Sequence, residues 1–473
     1  VELHAGLVQL LGPDAVLTRT TDTARYLTDH RRLYTGRTPA VLLPRTTDEV
    51  SRALAWCNEA RVGVVPQGGN TGYCGGATPD ETGTQVVLSL ERLNRVRAVD
   101  AANHSLVAEA GCTLAAVHAA ASAAGRLFPL RLGSEGSCQI GGNLATNAGG
   151  TAVLRYGMMR DLTLGLEVVL ADGRMWSTLS GLRKDNTGYD LDDLIIGSEG
   201  TLGVITAACL KLFPANRRTA TAWVGVADPA AAIALLGRLR EAGGERLSGC
   251  ELVPHVALEL VLRHVPGSRD PGVAAAPWYV LVELTSPAVD DLDGVLEAAL
   301  ADAVTRGLVQ DAALARSEAQ SRQFWHLRES VPEAQRRAGG SLKHDVAVPV
   351  SQLPAFIEEG ARLAAELAPE GYLVAYGHAG DGNLHFNLNQ RPGTDGAAFL
   401  ARELPLRRAI HDLVARLHGS ISAEHGIGRL KVAELARYAP PAELSAMQAI
   451  KRALDPNGIL NPGKVITTTG VTT

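Results

Sequence analysis

Apolar residues recur along this chain at two spacings, and the switches between them mark its elements. Ala40-Val41-Leu42-Leu43 is a short apolar run that predicts a strand. Thr46-Thr47-Asp48-Glu49 has capping-box spacing, and Val50, Ala53, Leu54 and Cys57 follow at helical intervals. Residues 62–65 read as the next strand, ended by Pro66. Strand-like segments return at 85–90, 106–108, 164–170 and 203–212, and the Ala-rich stretch 114–124 has helical spacing. These elements predict an α+β domain that ends near residue 215. A second α+β region opens with a strand at 222–226, an amphipathic helix from Pro229 to Leu239 and a strand at 279–284. Residues 383–388 alternate strictly, so Leu384, Phe386 and Leu388 would face a core while His385 and Asn387 share the opposite, accessible face. A helix is expected at 445–453, before a turn-rich tail.

Composition narrows the function. At 473 residues the chain exceeds one ordinary core, which predicts two or three domains. Hydrophobic residues at 46% argue against disorder, and a net charge of −5 without a basic block argues against a nucleic-acid partner. No apolar run reaches the roughly 18 residues of a membrane span. Val1-Glu2-Leu3-His4 shows no signal-peptide pattern. The cysteines at 57, 74, 112, 138, 209 and 250 form no CxxC pair. Reduced thiols in a cytoplasmic protein are the expectation.

The 50 glycines cluster. The first cluster is Gln67-Gly68-Gly69-Asn70-Thr71-Gly72-Tyr73-Cys74-Gly75-Gly76, directly after a predicted strand. The second runs from Gly133 to Gly150, and the third from Gly197 to Thr206. Consecutive glycines let backbone N–H groups turn inward around a pyrophosphate. Neither GxGxxG between strand and helix nor a Walker loop is present, so a Rossmann site is not supported. One such cluster is as well explained by a tight turn. Three in one domain, each holding Thr or Asn, point to a large phosphate-bearing cofactor.

Two further strings carry chemistry: Gly377-His378-Ala379-Gly380-Asp381-Gly382-Asn383-Leu384-His385 and Ser422-Ala423-Glu424-His425-Gly426-Ile427-Gly428. They supply three groups that suit a divalent cation and one spare histidine. Such a pairing can take the proton from a bound hydroxyl. Two imidazoles and a carboxylate leave coordination positions open, as catalytic zinc does, and the same ligands suit manganese or iron. His378 is expected in a flexible glycine-rich loop. Arg328 and Lys343 stand near apolar stretches, and a guanidinium fork matches a carboxylate.

Together these strings resemble the flavin domain of the vanillyl-alcohol oxidase / p-cresol methylhydroxylase superfamily. With the C-terminal half, the chain resembles the D-2-hydroxyglutarate, D-lactate and glycolate dehydrogenase branch, over about residues 20–466. The resemblance implies an α+β fold: a two-lobed FAD-binding domain at 1–217, a substrate and metal domain at 218–440, and a segment 441–473 that returns to the FAD domain. It implies FAD held by Pro66, Gly68, Gly69, Asn70, Thr71 and Gly72, by Gly133, Ser134, Gly136, Ile140, Gly141, Gly142, Thr146, Asn147 and Gly149, by Glu199, Gly200, Gly203 and Ile205, and by Asn461. Some relatives attach FAD through a histidine in the first loop. Asn70-Thr71 stand there here, so a dissociable flavin is expected.

By the same resemblance, His378, His385 and Glu424 match metal ligands for zinc, with manganese or iron as alternatives. Asn387 matches a substrate-contacting amide, and His425 a general base that touches substrate. Arg328 and Lys343 match carboxylate anchors. Pro332 stands where the animal hydroxyglutarate enzymes carry a substrate-touching threonine. The implied reaction is oxidation of a D-2-hydroxy acid to the 2-oxo acid, with D-2-hydroxyglutarate first and D-lactate or D-malate next. The alternatives are a glycolate or D-lactate dehydrogenase subunit of a larger complex and an FAD-linked transferase. The electron acceptor would be an electron-transfer flavoprotein, a quinone or a cytochrome, and a homodimer is the expected assembly.

Overall fold

A computed structural model describes residues 2–467; Val1 and residues 468–473, the end of the expected segment 441–473, lie outside the described residues. The chain divides into two compact units. The first comprises Val1–Gly150, Gly157–Ala215 and Glu424–Thr473, and the second Thr151–Tyr156 and Asn216–Ala423. The chain therefore rejoins the first unit at Glu424, not at 441. The loop after Glu424 is fastened there: Glu199 accepts from the backbone N–H groups of Ile427 at 2.7 Å and Gly428 at 2.8 Å. Among the described residues no helix is long and apolar enough to cross a membrane.

The first unit carries two main sheets. β1 (Val16–Leu17), β2 (Val41–Leu42), β3 (Gly63–Gln67) and β4 (Gln85–Ser89) lie in the order β1-β2-β4-β3. Helix α1 (Thr47–Glu59) covers this sheet with Val50, Ala53, Leu54 and Cys57. Half of the expected capping box forms: Thr46 accepts from the N–H of Glu49, but the Glu49 carboxylate reaches one residue further back, to the N–H of Arg45. Pro66 lies inside β3 and does not end it. β3 is an edge strand, where a missing N–H is tolerated. β5 (Val96–Asp100), β6 (Ser105–Glu109), β7 (Thr163–Val169), β8 (Met175–Ser177) and β9 (Val204–Lys211) form the second sheet, ordered β5-β6-β9-β7-β8. Helix α2 (Leu114–Ala123) stands where the Ala-rich stretch predicted it. The second glycine cluster is not all turn: Ile140–Ala145 is a short helix.

The second unit is built on one antiparallel sheet. Its strands are β10 (Arg218–Val226), β11 (Leu247–Pro254), β12 (Trp278–Ser286), β13 (Asp311–Leu314), β14 (Ser341–Leu342), β15 (Asp345–Ala347), β16 (Gly371–His378) and β17 (Asn383–Gln390). The order is β13-β10-β12-β11-β16-β17-β14, with β15 also paired to β17. Helices α3 (Pro229–Gly243), α5 (Leu292–Thr305), α8 (Leu353–Leu367) and α9 (Glu403–Arg416) bury one face together with Leu384, Phe386 and Leu388. Helices α4 (His255–His264), α6 (Glu318–Glu329) and α7 (Val331–Ala338) bury the other with Trp223, Tyr279, Phe324 and Tyr376. His378 is the last residue of β16 and not part of a loop. A Cβ at Gly377 would lie 2.4 Å from the Asn383 carbonyl oxygen, so that glycine permits the close approach of β16 and β17.

Candidate active site

In the first unit the glycine clusters converge on a cavity of about 140 Å³. That is about ten times the space one water needs. Of the residues expected to hold FAD, Pro66, Gly68, Gly69, Asn70, Thr71, Gly72, Gly141, Gly142, Thr146, Glu199, Gly200, Gly203 and Ile205 line it, and His425 lines it too. Gly133, Ser134, Gly136, Ile140, Asn147, Gly149 and Asn461 are not in its lining. Gly133 and Gly136 are exposed, whereas Ile140 is fully buried. Asn147 instead accepts from the N–H of Arg160 at 2.9 Å. Asn461 acts from behind, donating to the carbonyls of Gly76 and Glu199 at 2.8 Å each.

The cavity is mostly apolar in its lining but holds open space and unmet polar atoms. A Cβ at Gly72 or Gly142 would meet no protein atom within 4 Å, so the space beside them is open. Gln139 Oε1 and Ser198 Oγ are buried in its lining with no protein partner. The glycine-built cradle and these two oxygens fit a cofactor that brings its own hydrogen-bonding groups. Burial pushes the Glu199 carboxyl up to about 7, against the pull of the Ile427 and Gly428 N–H groups. The His425 ring lies 4.6 Å from that of Tyr73, tilted by 54°.

In the second unit the predicted polar residues collect on one face of the sheet. β16 and β17 pair His385 with Tyr376 and Asn387 with Val374. The rings of His378 and His385 are 5.8 Å apart. Two acids that the sequence did not single out join them. Asp345, cross-strand from His385, brings a carboxylate oxygen to 3.9 Å from its Nδ1. Glu251 is the cross-strand neighbour of His378 and accepts from its Nδ1 at 2.8 Å. Its other oxygen accepts from Arg328 Nε, also at 2.8 Å. Burial pushes the Glu251 carboxyl up, but His378 and Arg328, each bonded to it, outweigh burial and hold it below the usual range. Arg328 also lies 4.8 Å over the Tyr376 ring.

Asn387 departs from the expected accessible face, being only 3% exposed. Its amide accepts from the His344 N–H at 3.2 Å and donates to Gln335 at 3.1 Å. Lys343 is half-buried in the link between β14 and β15. Pro332 sits in the first turn of α7, where its missing N–H costs nothing. In the sequence Glu251 stands only as a lone charge among apolar residues, and Asp345 only as an acid beside Lys343 and His344.

Residues 38–179 match the FAD binding domain family, and residues 215–465 match the family of FAD linked oxidases, C-terminal domain. The chain thus belongs to the FAD-linked oxidases. It is 41% identical over 442 residues to the mitochondrial D-2-hydroxyglutarate dehydrogenase of Bos taurus, covering 93% of this chain and 79% of that one. It is 38% identical over 439 residues to the Arabidopsis thaliana enzyme of the same name, covering 93% and 77%. The D-2-hydroxyglutarate dehydrogenase of Xanthomonas citri pv. viticola is 37% identical over 451 residues, 95% of this chain and 94% of that one. Its branch is that of the FAD-dependent D-2-hydroxy-acid dehydrogenases. The fold is that of p-cresol methylhydroxylase, whose substrate-bound structure matches at a TM-score of 0.78 and 18% identity, over 98% of this chain and 96% of that one.

Proposed function

We propose that this enzyme oxidises D-2-hydroxyglutarate, and with lower preference D-lactate or D-malate, to the 2-oxo acid. The observation that carries the reading is one sheet face where the imidazoles of His378 and His385 meet the buried guanidinium of Arg328, brought by α6. Such a face matches a small acid that carries a hydroxyl.

FAD, bound without a covalent link, supplies a hydride acceptor for the α-carbon. A divalent cation on His378, His385 and Glu424, zinc in this reading with manganese or iron as alternatives, supplies Lewis acidity at the substrate hydroxyl. Arg328 and Lys343 hold the carboxylates and so fix the α-carbon's orientation. The Arg328 Nε is committed to Glu251, so its terminal nitrogens serve the substrate. Asn387 contributes an amide contact. His425 takes the hydroxyl proton on a ring nitrogen. The two electrons taken from the substrate would pass on to an electron-transfer flavoprotein, a quinone or a cytochrome. All six cysteines are buried thiols outside any disulfide, which suits a reducing compartment, the cytoplasm in this reading.

The test is anaerobic addition of each D- and L-2-hydroxy acid to the flavoprotein. Bleaching by D-2-hydroxyglutarate but not its mirror image supports the reading; a flavin that no 2-hydroxy acid bleaches refutes it. His425→Ala should lower turnover by about 10²–10⁴ with FAD retained. A chelator should abolish turnover and leave the flavin spectrum intact.

A further inference from the structure

We infer that Glu251 is a positioning residue that ties the cation-binding imidazole to the carboxylate-binding guanidinium. The inference rests on the reading just given. β11 runs through the middle of the sheet, and register sets Glu251 directly opposite His378. The Glu251 side chain is 1% exposed, so water cannot replace its partners. Each carboxylate oxygen serves one donor: Oε1 takes the His378 Nδ1–H, and Oε2 takes the Arg328 Nε–H.

Two consequences follow from this division. With Nδ1–H held by Glu251, Nε2 is the ring nitrogen of His378 that carries the lone pair, so the carboxylate selects tautomer and ring orientation together. The bond to Nε also fixes the plane of the Arg328 fork, which already lies over the Tyr376 ring. One rigid acid therefore sets both the direction of the cation's ligand and the direction of the substrate's anchor. An amide cannot do this. Its single acceptor oxygen satisfies one donor, and its NH₂ group confronts the other.

The experiment uses the FAD-loaded enzyme, its Glu251→Gln variant and its Glu251→Asp variant. Zinc affinity is read by competition with a chromophoric chelator in the absence of substrate, and KM and kcat for D-2-hydroxyglutarate are read separately. Glu251→Gln should weaken zinc by about 10- to 100-fold, the usual effect of losing a ligand's outer partner. Its KM should rise while its FAD content stays at the wild-type level. Glu251→Asp keeps both oxygens on a shorter stem and should fall between the two. Zinc binding unchanged in Glu251→Gln overturns the inference. Should that variant lose its FAD, the aspartate variant decides: unweakened zinc overturns the inference, and weakened zinc with FAD retained supports it. The zinc titration needs no turnover, so a wild-type enzyme that binds zinc but is bleached by no 2-hydroxy acid sinks the substrate reading alone. A wild-type enzyme that takes up no zinc sinks the inference itself.

Discussion

Replacing Lys451 with methionine should unfasten the flavin cradle from behind. Lys451 lies on α10 (Pro441–Leu454) and is 4% exposed. Its ammonium uses all three protons: on the Thr201 carbonyl at 2.7 Å, on the Leu460 carbonyl at 2.8 Å, and on the Asp455 carboxylate. Asp455 is itself buried and accepts from the N–H groups of Ile459 at 3.0 Å and Leu460 at 2.8 Å. Methionine keeps most of the stem's volume, so the loss is electrostatic and not a cavity. It strands a carboxylate and two carbonyls, and removing one partner of a buried pair costs about 3–5 kcal/mol. Thr201 follows the cavity-lining Gly200, and Leu460 precedes Asn461, so FAD affinity should fall together with stability. The assay is urea unfolding followed by circular dichroism and by flavin fluorescence. Lys451→Met combined with Asp455→Asn removes the stranded charge and should recover part of the loss. A cost below about 1 kcal/mol, the range of exposed pairs, or a double variant no more stable than the single one, would refute the reasoning.

Two other outcomes test the cradle and its acid. Gly142→Ala should fold normally and elute without FAD, because its methyl enters only the open cavity; tight FAD in that variant would show that the cofactor lies elsewhere. Glu199 has a folded-state pKa of about 7 against an ordinary 4.5, so the fold favours its protonated form. Its stabilising contribution is complete below pH 4.5 and is lost as pH rises through 7. Across that window unfolding free energy should fall by up to about 1.4 kcal/mol per pH unit from this group. Glu199→Gln should flatten the slope, which urea titrations at several pH values will read.

The period-two pattern at 384–388 was legible because strand geometry alone sends alternate residues to opposite faces, and Leu384, Phe386 and Leu388 do line a core. The N-cap at Thr46 was legible because its partner is local: the Glu49 N–H lies three residues on. His378 was misread because glycines punctuate loops and also permit close strands, and only the pairing with Asn383 tells the two apart. Glu251 was invisible because its partners lie 77 and 127 residues away. The early return to the first unit was hidden likewise, since the groups that fasten Ile427 and Gly428 belong to a glutamate 228 and 229 residues earlier.

The bridge between Val64 and Leu460 has a consequence for biosynthesis. The edge of the first sheet waits for a stretch that leaves the ribosome only after the whole second unit has been made. At roughly 5–20 residues per second that delay is some tens of seconds. Through it the nascent first unit holds an unfinished sheet edge, so its flavin cradle is completed only after the second unit has been made.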